Sequence, residues 1–354
     1  MKRKLLTLVL AASPALLLIP ATAQAQQEIT LRIGAGHPTP ALAYVLAHDT
    51  FFIPEVEKRA KAKNINVRFV KAWAGTVAKV DGIVEATQKG TLDIGLAVPV
   101  FEPTRLGLFN FGNHTPFGPT DHMIVARAAT RMIKEVPALK DGLKAFNAEP
   151  IGMQVSEQYG MTLKNDFAKL DDLKGRKIAS GAVNAPWSQA IGMVPVALPV
   201  TENYQAMQTG LIDGNIYFIS GMAALKFAEI AKVYFKTDFG SVPGSLTIMN
   251  LDTRRRLPRE LNEIIDQVSD ETAVRIAEIG QQRDRDVEKS IAGKVRIATI
   301  SPEDKRRWAE ALRELPGKAA KELDGRGLPG TQVYRTWHQF LRDAGHKFAV
   351  EYTF

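Results

Sequence analysis

Two stretches of the sequence share one pattern at identical spacing: Ala86-x-Gln88-x-Gly90-x-x-Asp93 and, 120 residues later, Ala206-x-Gln208-x-Gly210-x-x-Asp213. In each copy an amphipathic run ends at the glycine, which suits the left-handed backbone position that closes a helix. An apolar, strand-like run follows, at residues 92–98 and 212–219. A chain that builds this helix–glycine–strand unit twice is predicted to contain two similar α/β lobes. Two lobes form a cleft, where small molecules bind.

The first 25 residues have the composition of a secretory signal peptide. A basic start at residues 1–4 precedes an apolar stretch at 5–19, and small residues follow at 21–25, with the favoured cleavage site after Ala25. The apolar stretch is too short for a membrane span. No cysteine is present to carry a lipid anchor. We therefore predict a soluble mature protein in the periplasm that begins at Gln26.

The composition argues against several kinds of chemistry. The 354 residues include no cysteine, which removes disulfides, thiol catalysis and cysteine-ligated metals. The six histidines include no pair three or four residues apart that would hold a metal, so we predict no metal and no cofactor. The formal net charge of +8 falls to +5 without the three basic residues of the signal peptide. This excess forms no basic stripe interleaved with aromatics, so nucleic acid is not an expected partner.

Strand and helix patterns alternate along the rest of the chain. Residues 29–98 read as βαβαβ, and a second such unit opens with a strand at residues 151–155. A helical pattern over residues 258–291 corresponds to roughly 50 Å, which is enough to brace both lobes. The predicted fold class is α/β, with two lobes that each contain a mixed or parallel sheet flanked by helices. The predicted boundaries are the signal peptide at 1–25, lobe one at 26–150 and 242–255, lobe two at 151–240 and 293–354, and the shared long helix at 256–292.

Four sequence blocks accompany the signal peptide and the long helix: His37-Pro38, Trp73-Ala74-Gly75-Thr76, Asp171-Asp172-Leu173-Lys174-Gly175-Arg176-Lys177-Ile178 and Gln208-Thr209-Gly210-Leu211-Ile212-Asp213-Gly214. In this combination the chain resembles the solute-binding proteins of TRAP (tripartite ATP-independent periplasmic) transporters, of the C4-dicarboxylate type. The resemblance implies a receptor whose two lobes close on a small organic molecule, in the manner of a Venus flytrap, and deliver it to membrane permease subunits. The usual cargo of such receptors is an organic acid.

The chain departs from this family where a carboxylate would be held. Members that bind carboxylates generally carry an arginine directly after the Leu-Lys-Gly-x-Lys-Ile block, but here Ala179 and then Ser180 follow it. A second asparagine of the family, which usually comes shortly after Asp-Gly in the second repeat, corresponds here to Tyr217, three residues beyond Gly214. A buried carboxylate without its cation costs several kcal/mol. Our hypothesis is therefore an aromatic or uncharged-headed ligand, or an organic cation.

Aromatic and polar residues near the predicted strand ends are the candidate ligand contacts: His37, Trp73, Phe101, Phe117, Gln154, Tyr159, Ser180, Trp187 and Tyr217. Ligands of open parallel sheets lie at the carboxyl ends of strands, which favours these positions. Each has a structural alternative. Trp73 and Trp187 also fit the core, and His37 also fits a helix cap. Glu157 fits either a cationic ligand or the solvent-facing surface.

Two other functions remain open from the sequence. A binding protein of an ATP-driven importer would share the signal peptide and the two lobes. A periplasmic enzyme on a binding-protein fold would need a catalytic set assembled only in three dimensions, because the chain has no Gly-x-Ser-x-Gly, no P-loop and no His-Glu-x-x-His motif. Neither explains the sequence blocks as well as the TRAP resemblance.

Overall fold

The computed structural model describes residues 28–40 and 42–354. The predicted signal peptide and its cleavage site lie outside the described residues. No helix in the part of the chain that the structure describes is long and apolar enough to cross a membrane.

Within the described residues, eleven strands form two mixed sheets. The strands are β1 (Ile29–Ala35), β2 (Val67–Ala72), β3 (Ile94–Ala97), β4 (Ala148–Val155), β5 (Tyr159–Leu163), β6 (Lys177–Ser180), β7 (Val194–Ala197), β8 (Gly214–Phe218), β9 (Val233–Gly240), β10 (Pro243–Asn250) and β11 (Arg296–Thr299). The first sheet has the order β2-β1-β3-β10-β4 and the second has the order β11-β9-β5-β8-β6-β7. In the first sheet β10 is antiparallel to both neighbours, and in the second β5 is.

Helices cover these sheets, as the alternating sequence pattern predicts. They are α1 (Ala43–Ala47), α2 (Ile53–Ala62), α3 (Ile83–Gln88), α4 (His122–Glu135), α5 (Pro137–Lys144), α6 (Ala185–Gln189), α7 (Asn203–Thr209), α8 (Gly221–Ala224), α9 (Leu251–Arg256), α10 (Arg259–Ile291), α11 (Pro302–Ala311), α12 (Leu315–Gly325) and α13 (Gly330–Asp343). A π-helical turn, His48–Phe52, joins α1 to α2.

The two sequence repeats form the same local structure. Gly90 and Gly210 both adopt left-handed backbone angles, with φ of 71° and 81°, where a glycine costs least. The aspartate that follows each glycine accepts a hydrogen bond from the backbone N–H of a neighbouring parallel strand. These bonds join Asp93 to Arg32 at 2.7 Å and Asp213 to Lys177 at 2.8 Å. The repeated aspartate therefore fastens a helix–strand turn to the adjacent strand in both lobes.

Two neighbouring crossings of the chain connect the sheets. Residues 156–158 lead from β4 to β5, and residues 241–242 lead from β9 back to β10. The Ser156 N–H donates to the Val242 carbonyl oxygen at 2.8 Å, and the Val242 N–H donates to the Ser156 hydroxyl oxygen at 3.1 Å. We call these two segments the double crossing.

Strand β4 lies in the first sheet, whereas the sequence predicted that residues 151–155 open the second lobe. It pairs antiparallel with β10 through contacts such as Met153 opposite Leu246. The next strand, β5, which the sequence analysis missed, is the one that enters the second sheet. The difference arises because pairing between β4 and β10 links segments about 90 residues apart, which local hydrophobic patterns do not reveal.

The C-terminal helices are divided between the lobes, whereas residues 293–354 were assigned to lobe two. Helix α11 buries Trp308 in the core of the second lobe. Helix α13 instead buries an apolar face, which includes Tyr334, Trp337 and Leu341, in the core of the first lobe against α4. Helical periodicity identifies this face but does not say which lobe it covers.

The long helix α10 spans both lobes, as predicted. Its 33 residues correspond to about 50 Å. Leu261, Ile265 and Val268 are buried in the first core. Near the other end, Ile291 packs in a cluster with Tyr234 of the second sheet. The helix is therefore a brace along one side of the molecule.

The repeated aspartates give a matched pair of stability tests. Asp93 is buried and also accepts hydrogen bonds from the Thr253 hydroxyl (2.6 Å) and from Arg256, whereas Asp213 is partly exposed. We expect Asp93→Ala to lower the free energy of unfolding by about 2–4 kcal/mol and Asp213→Ala by about 1 kcal/mol, because only the first leaves buried donors unpaired. Urea unfolding measures both. Equal losses would contradict this difference.

Candidate ligand-binding cleft

A cavity lies between the two sheets, next to the double crossing. It has a volume of about 190 Å³. Residues at or just beyond the carboxyl ends of parallel strands line it, including His37 after β1, Phe101 after β3 and Ser180 at the end of β6. This is where ligands of open α/β sheets bind. The double crossing contributes Ser156 and Glu157.

Each lobe supplies three aromatic rings to the cavity. From the first lobe, His37 lies between Tyr44 and Phe101, with ring centroids 6.1 and 5.9 Å away. From the second lobe, Phe218 lies between Tyr159 and Tyr217, at 4.6 and 4.7 Å. Phe101 is 47% exposed, which is unusual for so large an apolar side chain. A ligand between these two groups of rings would gain apolar contact from both lobes.

The polar groups of the cavity carry little positive charge. Among the described residues that line it there is no lysine or arginine. The His37 ring nitrogen Nδ1 and the Tyr44 hydroxyl share a hydrogen bond of 2.8 Å, and burial lowers the pKa of His37, which favours the neutral ring at neutral pH. The wall therefore has no cation that matches a ligand carboxylate.

Glu157 is the one acidic side chain among the described lining residues. It is 3% exposed, and burial raises the pKa of its carboxyl, an effect opposed by the Ser220 hydroxyl and by Arg283. Its Oε1 atom lies 3.4 Å from Nη1 of Arg283 on α10, while Nη2 of the same guanidinium donates to the Pro40 carbonyl oxygen at 2.7 Å. Arg283 thus joins α10 to both Glu157 and the loop that carries His37.

Comparison with known proteins agrees with this architecture. The family model of bacterial extracellular solute-binding proteins, family 7 (DctP), matches residues 50–322. The chain belongs to this family. It is 24% identical over 208 residues to the C4-dicarboxylate-binding periplasmic protein DctP of Rhodobacter capsulatus, and the match spans 58% of each chain. The resemblance identified from the sequence blocks is therefore confirmed.

Solved structures share the fold of this family-7 protein at low sequence identity. A TRAP periplasmic solute-binding protein from Desulfovibrio salexigens has a TM-score of 0.77 and 19% identity, and the match covers 89% of this chain and 96% of that one. A TRAP solute-binding protein from Rhodoferax ferrireducens, in complex with copurified benzoate, has a TM-score of 0.74 and 18% identity over 90% and 98% of the two chains. The predicted two-lobed α/β fold is thereby confirmed.

Five of the nine candidate residues from the sequence line the cavity: His37, Phe101, Tyr159, Ser180 and Tyr217. The other four lie outside its wall, as the next paragraphs describe. The sequence analysis missed several residues that do line the cavity, among them Tyr44, Asn113, Asn203 and Phe218. Asn203 is the first residue of α7, and Tyr44 is the second of α1, and neither stands out by local pattern. Phe218 follows Tyr217 at the end of β8, and although side chains alternate along a strand, both residues line the cavity.

The two tryptophans predicted as contacts are structural. Trp73 donates its indole N–H to Asp49 Oδ1 at 3.0 Å and packs partly buried against the first core. Trp187 is fully buried and donates to the Asn113 carbonyl oxygen at 2.9 Å. Its ring meets Tyr159 edge to face at 5.4 Å. Trp187 therefore supports the aromatic wall from behind.

Phe117 and Gln154 are also held away from the cavity. Phe117 has a left-handed φ of 62° and packs against Phe239 in the second core. Gln154 is fully buried, where its Nε2 donates to the Thr247 hydroxyl oxygen at 2.8 Å and its Oε1 accepts from the Ser245 hydroxyl at 3.2 Å. Ser245 lines the cavity, so Gln154 lies one layer deeper.

The position of the family arginine does not face the cavity in this chain. Ala179 is fully buried in an apolar cluster with Ala206 and Met207 of α7. The next residue, Ser180, points its hydroxyl to the other side of β6, where it is buried without a hydrogen-bond partner among the described residues. The side chain at position 179 therefore packs inside the second lobe.

A second buried acid lies behind Glu157. Asp284 of α10 has its Oδ2 atom 3.4 Å from Nε2 of His122. Burial, reinforced by the negative charge of Glu157, raises the pKa of Asp284 to about 8, and burial lowers the pKa of His122 to about 4. At neutral pH this pair therefore holds its proton on the carboxyl group.

This raised pKa makes the stability of the protein depend on pH. Because the folded state keeps the Asp284 proton up to about pH 8 while an ordinary aspartate loses it near 3.8, the contribution of this group to stability declines as the pH rises across that window. We expect Asp284→Asn to flatten the decline between pH 5 and 8 in urea unfolding. The exposed acid Asp286 on the same helix provides the control, Asp286→Asn. Parallel pH profiles for wild type and Asp284→Asn would contradict this account.

Proposed function

We propose that this family-7 protein is the periplasmic receptor of a TRAP-type secondary transporter. It captures a small organic molecule in the cleft between its lobes and presents it to the permease subunits in the membrane, without covalent chemistry. Family membership supports the receptor role, and so does a cavity whose wall is contributed by both lobes. Ligand contacts to both lobes favour the closed state over the open one, which is how binding signals to a partner.

The ligand of this receptor is not held as a carboxylate. The absence of lysine and arginine from the described lining of the cavity carries this part of the proposal. The Rhodobacter relative is named for C4-dicarboxylates and the Rhodoferax protein was crystallised with benzoate, so both are associated with carboxylates. Among the described lining residues a buried carboxylate would find no lysine or arginine, and a buried carboxylate without a cation costs several kcal/mol. Rings from both lobes instead favour a ligand with an apolar, ring-sized body.

The competing functions have less support. A receptor of an ATP-driven importer would differ from a TRAP receptor in its membrane partner. Co-purification with the membrane subunits therefore separates the two cases. An enzyme would need to turn over the compound that it binds. Incubating the protein with its ligand and recovering that ligand unchanged supports a receptor.

A thermal-shift screen tests the ligand class. Mature protein would be heated with carboxylates, neutral aromatics and amines, and a ligand at 100 times its dissociation constant should stabilise the fold by about 2.7 kcal/mol. We expect compounds that have no carboxylate group to stabilise the protein. Tyr217→Ala should weaken binding roughly tenfold, because it removes one ring from the cavity wall. The control is Tyr204→Ala, since Tyr204 donates its hydroxyl to Glu229 and does not line the cavity.

Stabilisation by simple dicarboxylates alone would contradict the proposed ligand class, and equal losses for the two tyrosine variants would contradict the proposed site. The screen compares each variant with and without ligand, so a general loss of stability in Tyr217→Ala does not affect the result.

Small-angle scattering tests closure. A saturating ligand should lower the radius of gyration of the wild-type protein, because the lobes rotate together about the double crossing. Tyr217→Ala at the same ligand concentration should show a smaller change in proportion to its lost occupancy. An unchanged radius in the saturated wild-type protein would contradict the closing mechanism.

A further inference from the structure

The charge balance of the cavity wall has a definite sign. Glu157 is the one side chain among the described lining residues that carries a full charge when ionised near neutral pH, and that charge is negative. His37 is favoured as a neutral ring, and the tyrosines have pKa values raised by burial, so they are neutral as well. A bound cation would therefore meet Glu157 and no lysine or arginine among the described lining residues; the guanidinium of Arg283, 3.4 Å from Glu157 Oε1, lies outside that lining.

Glu157 is not fully satisfied by its protein neighbours. The Ser220 hydroxyl and Arg283 both interact with its carboxyl group, but the contact with Arg283 is long, at 3.4 Å, and that guanidinium also donates to the Pro40 carbonyl oxygen. The other carboxylate oxygen, Oε2, is buried and has no hydrogen-bond partner within the described residues. Leaving a buried charged acceptor without a donor is costly, so the native state is expected to supply one.

The other unpaired polar atoms on the wall are also able to accept hydrogen bonds. Asn203 is 3% exposed and its Oδ1 atom has no partner among the described residues, and the same holds for the Ser180 hydroxyl oxygen. Both residues line the cavity. A ligand that donates hydrogen bonds would therefore satisfy these lining oxygens better than a ligand that only accepts them.

The aromatic residues lie where they would assist a cation. Glu157 and Tyr217 line the same cavity; burial raises the pKa of the Tyr217 hydroxyl, and the negative charge of Glu157 adds to this effect. The ring of Phe218 lies between those of Tyr217 and Tyr159, so the three rings form one continuous aromatic surface. The face of an aromatic ring attracts cations, and the attraction is stronger where water is excluded.

We propose that the ligand is an organic ammonium ion with N–H donors and an apolar body, whose charged head is held between Glu157 and the ring of Tyr217. This inference rests on the proposed receptor function and specifies the ligand class. The apolar body would lie between the rings of the two lobes. Asn203 and Ser180 would accept hydrogen bonds from the remaining donors of the ligand.

Calorimetry with matched compounds tests the charge preference. The probes are amines, alcohols and carboxylates built on the same bodies, such as 2-phenylethylamine, 2-phenylethanol and 3-phenylpropionate. We expect the amine of a set to bind at least tenfold more tightly than its alcohol, with no measurable binding of its carboxylate. A benzyltrimethylammonium probe separates the need for N–H donors from the need for charge, and it should bind more weakly than the amine.

The variant Glu157→Gln tests the role of the carboxylate, because it keeps the shape of the side chain and removes the charge. We expect it to weaken amine binding at least tenfold and to change binding of the matched alcohol less than twofold. The control Asp286→Asn removes an exposed carboxyl group of α10 that does not line the cavity and should leave amine binding unchanged. Circular dichroism confirms that each variant is folded.

Each result has a definite meaning. Preferential binding of alcohols or carboxylates, or equal amine binding by wild type and Glu157→Gln, would overturn the ammonium assignment while leaving the receptor function intact. Failure of every probe to bind or to stabilise the protein would count against both the receptor function and the assignment.

Discussion

The architecture depends on the hydrogen-bonded pair of segments that carries the chain between its two sheets. Ser156 and Val242 bind each other through backbone and hydroxyl groups, so the passage out of the first sheet and the passage back are fixed side by side. This arrangement makes β4 and β10 neighbours in one sheet while β5 and β9 are neighbours in the other. It also places Glu157 in the wall of the cleft between the sheets.

The binding cleft combines a strongly apolar wall with few polar groups, which is the usual design of a small-molecule site. The charged side chain in its described lining is acidic, whereas a site for a carboxylate needs a basic one. Where the family would place an arginine, Ala179 packs against α7, and the charged group that lines the cavity is an acid on the double crossing. Glu157 and Arg283 connect the double crossing, the long helix and the loop that carries His37. The groups that a ligand would contact therefore also help to set the relative position of the lobes. That sharing is what a receptor requires to convert binding into closure.

Much of the fold could be predicted from local sequence pattern, because the repeated glycine and aspartate specify a turn whose geometry depends on nearby residues. Membership of a sheet could not, since the pairing of β4 with β10 joins distant segments. Within the site, His37 and Tyr217 lie at strand ends and line the cavity, whereas Trp187, another predicted contact, lies in α6 and turns inward to support Tyr159. Local sequence pattern does not distinguish a tryptophan that lines the cavity from one that packs behind the lining residues, because that difference depends on tertiary packing.

The measurement that tests the central claim most directly is a crystal structure of the mature protein with the ligand that it retains on purification from its native periplasm. The account predicts closed lobes, a bound molecule between the aromatic residues of both lobes, and its ammonium or other hydrogen-bond donor beside Glu157 and Tyr217. A bound carboxylate whose oxygens are held by an arginine or lysine that moves into the cleft on closure would contradict it.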